Sequence, residues 1–229
     1  MVSEMQNNKS LIVFARYPEY GKVKTRLASS LGDETAYKLY ELFAGRLFNE
    51  LQKLNEDEIN FYLFYSGEVD EKKIALWCGK SYDYYPQAGN DLGDKMYNAV
   101  EKILALKPGK VVLIGADVPD INSEIIRNAF EKLDHSDVVI GPSKDGGYYL
   151  IGAKKNIAGL FKNIRWSSSE ALKMTIEKIV SLDLSYELLT ELTDIDTEDD
   201  LHKWLEDKNG DKSELIKKVN ELLVNKGLR

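Results

Sequence analysis

The run Val111-Val112-Leu113-Ile114-Gly115 constrains the fold more than any other stretch of the chain. Four consecutive apolar residues closing on a glycine fit a strand covered on both faces, as in a parallel sheet. Further strands are expected at "LIVFA" (11–15), "FYLFY" (61–65), "YDYYPQ" (82–87), "DVVIG" (137–141), "YYLIGA" (148–153) and "SYELL" (185–189). Between them the apolar spacing changes to steps of three and four. Ala36, Leu39, Tyr40, Phe43, Leu47, Leu51 and Leu54 mark one helix face, with Asp33 as its expected N-cap. Residues 91–106 repeat at Leu92, Met96, Val100, Ile103 and Leu104, and Pro108-Gly109 ends that helix. Helices are also expected over 123–133, over 167–180 behind a Ser167/Glu170 capping box, and over 197–207 behind Thr197 and Asp200 in the same spacing. The last, over 213–227, has Gly227 as its C′ residue.

Alternating strands and helices predict an α/β fold with a mainly parallel sheet. With no internal repeat or Pro-rich linker, one domain over 10–229 is expected, after a flexible N-terminus at 1–9. The formal net charge of -7 argues against general nucleic-acid binding, which shows a basic face. The single cysteine, Cys78, rules out an internal disulfide framework and a multi-cysteine metal site, and suits a reducing cytoplasm. No window approaches the roughly 18 apolar residues of a membrane span, and the polar start lacks a signal-peptide core.

In open parallel sheets, ligands sit beyond the carboxyl ends of the strands. The loop after 15 is "RYPEYGKVKTRL", with Arg16, Lys22, Lys24 and Arg26 in an acidic protein. Such a cluster surrounds phosphate oxygens, with Gly21 allowing close backbone approach, or forms a solvated turn. It is not a P-loop, because the second glycine and the following helix are missing from the pattern.

Asp117 falls just past the end of the 111–115 strand, where a carboxylate faces the crevice and suits a Mg²⁺ site. Asp120, three residues on, reads better as an acid preceding the next helix. In "GPSKDGGYYLIG" the Asp145-Gly146 pair signals a hairpin, and the same turn would present Asp145 to the crevice beside Gly147. Of Tyr148 and Tyr149, on opposite strand faces, only one is expected to line a site. In "QAGNDLGDKM", Gln87 offers hydrogen bonds to a base or sugar, and Asp91 is either a helix cap or a ligand contact. Asp194 and Asp196 either complete a metal site or serve as N-terminal acids of the following helix. His135 and His202 read as surface residues.

Taken in order, "FARYPEYGKVKTRL", "QAGNDLGDKM", "IGADVPD", "GPSKDGGYYLIG" and "DIDTEDDL" resemble a family of small bacterial GT-A-fold proteins assigned as glycosyltransferases or radical-SAM/selenodomain-associated transferases. The set is more distantly similar to 2-phospholactate guanylyltransferase and molybdenum cofactor guanylyltransferase. The resemblance covers about residues 11–201. It implies a GT-A (nucleotide-diphospho-sugar transferase), Rossmann-like three-layer α/β/α core and a divalent metal, Mg²⁺ or Mn²⁺, on Asp117. The tight Asp-x-Asp of many glycosyltransferases occurs here only at Asp194 and Asp196.

The expected activity is transfer from a metal-bound nucleotide donor to a small-molecule acceptor. Glycosyl transfer from a nucleotide sugar leads. Nucleotidyl transfer from a nucleoside triphosphate, with pyrophosphate release, is the alternative, and a non-catalytic nucleotide-binding protein is the third reading. Asp117, Asp194 and Asp196 would hold the metal. Arg16, Lys22, Lys24 and Arg26 would contact phosphates, Gln87, Asp91, Gly146 and Gly147 would help bind the nucleotide, and Asp145 would be the base.

Overall fold

The computed structural model describes residues 8–79, 82–155, 159–166 and 168–224. Seven strands form one sheet: β1 (Asn8–Arg16), β2 (Ile59–Ser66), β3 (Asp83–Pro86), β4 (Gly109–Gly115), β5 (Val138–Pro142), β6 (Tyr148–Ala153) and β7 (Tyr186–Leu188). Their order is β3-β2-β1-β4-β6-β5-β7. Every pairing is parallel except those of β6, which runs antiparallel to both β4 and β5. The reason is the connection. A tight turn joins β5 to β6, and a turn that short reverses the chain, whereas parallel neighbours need a long crossover.

Alternate residues of β1 feed opposite sides of the sheet. Leu11, Val13 and Ala15 meet α2 (Asp33–Gln52), α3 (Glu71–Cys78) and α5 (Ser123–His135), while Ile12 and Phe14 meet α4 (Leu92–Leu106) and α6 (Ala171–Ser181). A further layer lies outside α2. There α1 (Thr25–Leu31), α7 (Glu198–Asp207) and α8 (Glu214–Val224) enclose Leu27, Leu39, Phe43, Leu201, Trp204 and Val219. Trp204 is 1% exposed and stands edge-on to Phe43, with ring centroids 5.8 Å apart.

Several boundaries differ from the sequence reading. Gly32, at φ 80, is the N-cap of α2, and Asp33 is a first-turn acid that favours the positive end of the helix dipole. β1 begins at Asn8, so residues 8 and 9 belong to the sheet and not to a tail. α1 and α3 were not anticipated. α3 is capped by Asp70 but buries only Ile74 and Cys78 and leaves Leu76 exposed, so its apolar period is faint. α6 begins at Ala171, and Ser167 of the expected capping box lies outside the described residues, as does Gly227. The Thr197–Asp200 capping box is formed. His135 and His202 are exposed.

Candidate active site

The carboxyl ends of β1, β2, β3 and β4 and the amino end of β6 open on a cavity of about 500 Å³. Arg16 closes β1, and its backbone N–H and carbonyl are both held by the Tyr40 hydroxyl, at 3.0 and 2.7 Å. From there the chain runs out through Gly21, at φ 72, and turns back at Lys24 into α1. Lys24 is left-handed, with φ 44 and ψ 47, uncommon for a residue with a side chain.

β4 delivers Asp117. Past Gly115 the strand continues alongside β1 for one residue, through Ala116 N–H to the Phe14 carbonyl at 3.0 Å, and Asp117 follows at the rim. Asp194 and Asp196 arrive from the far end of the chain. Lys144 N–H donates to the Leu192 carbonyl at 2.9 Å and so ties the 190s strip to the β5–β6 turn. The Thr197 capping box then starts α7 directly after Asp196. A strut fixes the two acidic loops together. Trp204 Nε1 of α7 donates to Asp120 Oδ2 at 2.9 Å, and Lys208 Nζ lies 2.9 Å from Asp120 Oδ1. Asp120 is thus an anchor for α7, and the cap of α5 is Asn122, which accepts from Ile125 N–H.

Oxygens of Asp117, Asp194 and Asp196 lie within 4.8 Å of one another. The Lys24 ammonium stands among them, 3.0 Å from Asp117 Oδ2, 3.3 Å from Asp194 Oδ1 and 2.9 Å from Asp196 Oδ1, with its side chain 4% exposed. Arg26 Nη1 reaches Asp196 Oδ2 at 3.4 Å. Three carboxylates outnumber the one buried ammonium. Burial pushes Asp194 up to about 7, against the pull of Lys24 and with repulsion from Asp117, Asp196 and Asp145. Burial also opposes the charge on Asp196, but Lys24 and Arg26 prevail and hold it below the ordinary carboxylate value. Desolvation works against a charged Lys24, yet its three acidic neighbours keep its pKa above normal. An all-oxygen set carrying this excess of negative charge fits a hard divalent cation such as Mg²⁺ or Mn²⁺.

Of the residues singled out in the sequence, Arg16, Lys22, Lys24, Arg26, Gln87, Asp117, Asp194 and Asp196 all line this cavity. The Lys24 ammonium engages the three carboxylates in this structure, and the exposed cations of the cavity are Arg16, Lys22 and Arg26. Gln87 is fixed by its side chain, whose Nε2 donates to the Phe64 carbonyl at 3.0 Å and the Ala15 carbonyl at 3.5 Å. Asp91 is a helix cap, accepting from Asp94 N–H at 2.8 Å, and is not in the cavity wall.

Asp145 does not line the cavity; its Oδ1 accepts from Gly147 N–H at 2.9 Å and from the Ser143 hydroxyl, and its charge acts on Asp194 at the cavity wall. Gly146 and Gly147 shape that turn and do not line the cavity. At φ 86, Gly146 packs so closely that a Cβ would fall 2.2 Å from the Ser169 carbonyl oxygen. Both Tyr148 and Tyr149 reach the cavity, against the expectation of one. Sequence reasoning also missed its apolar floor of Phe14, Leu92, Met96, Leu113 and Ile151, which periodicity marks only as core, and the hydroxyl role of Tyr40.

Comparison with solved structures places this architecture. A protein from Desulfovibrio desulfuricans G20, described as a "putative nucleotide-diphospho-sugar transferase", is 32% identical over 96% of this chain and 98% of its own, with a TM-score of 0.85. The fold is therefore the expected GT-A-like, three-layer α/β arrangement. The inositol-1-phosphate CTP transferase from T. maritima shares the fold at 18% identity, with 95% of this chain and 98% of that one covered and a TM-score of 0.58. Rv0371c from Mycobacterium tuberculosis H37Rv, in complex with manganese, shares it at 14% identity, with 87% and 98% covered and a TM-score of 0.51. A search of curated proteins gives no match. Among the described residues no helix is long and apolar enough to cross a membrane. A family model described as "Uncharacterized protein conserved in bacteria (DUF2064)" matches residues 50–168, more than half of the sequence, and the chain belongs to that family.

Proposed function

We propose that this chain is a metal-dependent transferase that uses a nucleotide donor, and that the group transferred is a glycosyl unit from a nucleotide sugar. The observation that carries the reading is one cavity holding three convergent carboxylates beside three exposed cations, Arg16, Lys22 and Arg26. Carboxylates alone repel a phosphate, and cations alone need no acid cluster. Together they suit a phosphate-bearing ligand bound through a divalent ion. The similarity to the D. desulfuricans protein supports a nucleotide-sugar donor.

In this reading Asp117, Asp194 and Asp196 hold the ion. When bound, it would neutralise charge building up on the departing diphosphate. Arg16, Lys22 and Arg26 bind the phosphate oxygens. The fixed Gln87 amide meets the base or sugar, and the apolar floor with Tyr148 and Tyr149 excludes water from the reacting end. Asp145, oriented by Ser143 and Gly147, takes the proton from the acceptor hydroxyl. The acceptor oxygen forms a bond to the anomeric carbon as the bond from that carbon to the diphosphate breaks. One domain carries all these groups.

A second reading, nucleotidyl transfer, is favoured by the number of cations at the cavity, since a triphosphate calls for more of them than a diphosphate. Its step forms a bond from an acceptor phosphate oxygen to the α-phosphorus and releases pyrophosphate. Nucleoside triphosphates and nucleotide sugars, offered in parallel with Mg²⁺ or Mn²⁺ and a panel of acceptors, separate the two by product mass. Nucleoside diphosphate from a nucleotide sugar is the expected product. Acceptor-dependent pyrophosphate would replace this reading with the second. Nucleotide binding with turnover of neither donor class would leave a binding protein and overturn both.

A further inference from the structure

We propose that Lys24 is an exchangeable counter-ion, whose ammonium holds Asp117, Asp194 and Asp196 together until a divalent cation enters and then turns to the phosphates of the donor. The second half of this inference rests on the nucleotide-donor reading, and the first half does not.

The geometry forces an exchange. The ammonium lies 2.9 to 3.3 Å from one oxygen of each carboxylate. A Mg²⁺ or Mn²⁺ ion drawing on those same oxygens, at about 2.1 Å from each, would sit where the ammonium now is. The three carboxylates are only partly buried, but a divalent ion and an ammonium drawing on the same three oxygens would stand too close together for both to stay. Entry of one therefore expels the other.

The ammonium has somewhere to go. Lysine is a compact charge on an unbranched, flexible stem, so the head moves without the backbone. Lys24 lies between Lys22 and Arg26, and both line the cavity together with Arg16. A phosphate held by those three groups would share that cavity with the displaced lysine. The starting position is set by the chain itself. Lys24 is the left-handed N-cap of α1, with its carbonyl fixed by Ala28 N–H at 2.8 Å, and this turn aims its side chain inward while Arg26, one residue into the helix, stays 73% exposed at its side chain. An inward lysine between two outward cations is a poor design for gripping phosphate in the resting state. It is a good one for keeping three acids from repelling each other before the ion arrives. The consequence is coupling: metal entry frees a cation for the donor, and donor phosphate removes the competitor of the metal.

Mn²⁺ titration without nucleotide, followed by electron paramagnetic resonance on the wild type and on Lys24→Met, reads the competition directly. Lys24→Met is expected to bind Mn²⁺ about tenfold tighter or more, within the usual range of coupling between sites. Equal or weaker binding by a variant that melts like a folded protein would overturn the proposal. A second measurement needs no variant. Amine acylation of the wild type, quantified by mass spectrometry, is expected to find Lys24 protected alone, exposed with saturating Mn²⁺, and protected again with Mn²⁺ and CTP.

Unchanged labelling of Lys24 at saturating Mn²⁺ would mean the ammonium has not moved, and the proposal would fail. Exposure by Mn²⁺ with no response to CTP or any other nucleoside triphosphate or nucleotide sugar would support the exchange and count against the nucleotide-donor reading. Absence of Mn²⁺ binding to both proteins would overturn both.

Discussion

Trp204→Phe should loosen the acidic centre from a distance. The indole is 1% exposed, and its Nε1 donates to Asp120 Oδ2 at 2.9 Å. Phenylalanine keeps the edge-on contact to Phe43 but loses that donor and the outer ring. A hydrogen bond to a charged acceptor contributes about 2 kcal/mol, and the void left by the lost ring adds about 1 kcal/mol. The expected loss is about 3 kcal/mol, or roughly 6–12 °C of Tm at about 2–4 °C per kcal/mol for a chain of this size. The functional consequence follows from topology. Asp120 shares a loop with Asp117, and Trp204 shares α7 with the chain leaving Asp196, so the strut sets the spacing of the two loops. Mn²⁺ affinity should therefore fall with stability. Calorimetric melts and a Mn²⁺ titration check both. A double-mutant cycle with Asp120→Asn should return a coupling of about 1 kcal/mol or more, as expected for groups in contact. A Tm loss under about 2 °C, or additive effects in the cycle, would refute the strut.

Gly146→Ala should cost about 2–4 kcal/mol by denaturant unfolding, because φ is 86 and the new Cβ meets the Ser169 carbonyl at 2.2 Å; a neutral outcome would mean the turn is not held by that contact. Asp137 accepts from the Ser185 backbone N–H and hydroxyl at 3.0 and 2.8 Å, which holds its pKa below 3.8. Its stabilisation is present above that value and lost as pH falls through the lower folded-state one. Melts of Asp137→Asn should thus trail the wild type at pH 7 and close on it only as the pH is taken below 3.8, and a pH-independent gap would contradict the assignment. Cys78 is buried, with its thiol pushed up to about 11 by desolvation, so a disulfide reagent should label it slowly in buffer and fast in denaturant. Equal rates would show that α3 opens freely.

The sheet was legible because β1, β4 and β5 are covered on both faces and read as unbroken apolar runs. α1 was hidden. Its core contribution is only Leu27 and Leu31, set among charged and small residues that resemble a loop. The order β4-β6-β5 was also out of reach, since the Asp-Gly turn predicts a hairpin but not which neighbour it slides between. At the site, Asp117 was legible from its place after a strand, and Asp194 and Asp196 from their spacing. The position of Lys24 was not. Its three partners lie 93, 170 and 172 residues away, and no local pattern distinguishes an inward lysine from the outward cations beside it. Asp91 makes the helix-cap bond that was one of its two readings, whereas Asp120, read as an acid ahead of the next helix, instead anchors α7 through Trp204 and Lys208.

The most direct test of the account is nucleotide affinity measured by calorimetry with and without Mn²⁺, for the wild type and for Asp117→Asn. The account predicts that Mn²⁺ tightens binding of the wild type to a nucleoside triphosphate or nucleotide sugar by tenfold or more, about the usual coupling, and that Asp117→Asn abolishes this gain while melting as a folded protein. Nucleotide affinity that ignores Mn²⁺, or a gain that survives Asp117→Asn, would contradict it.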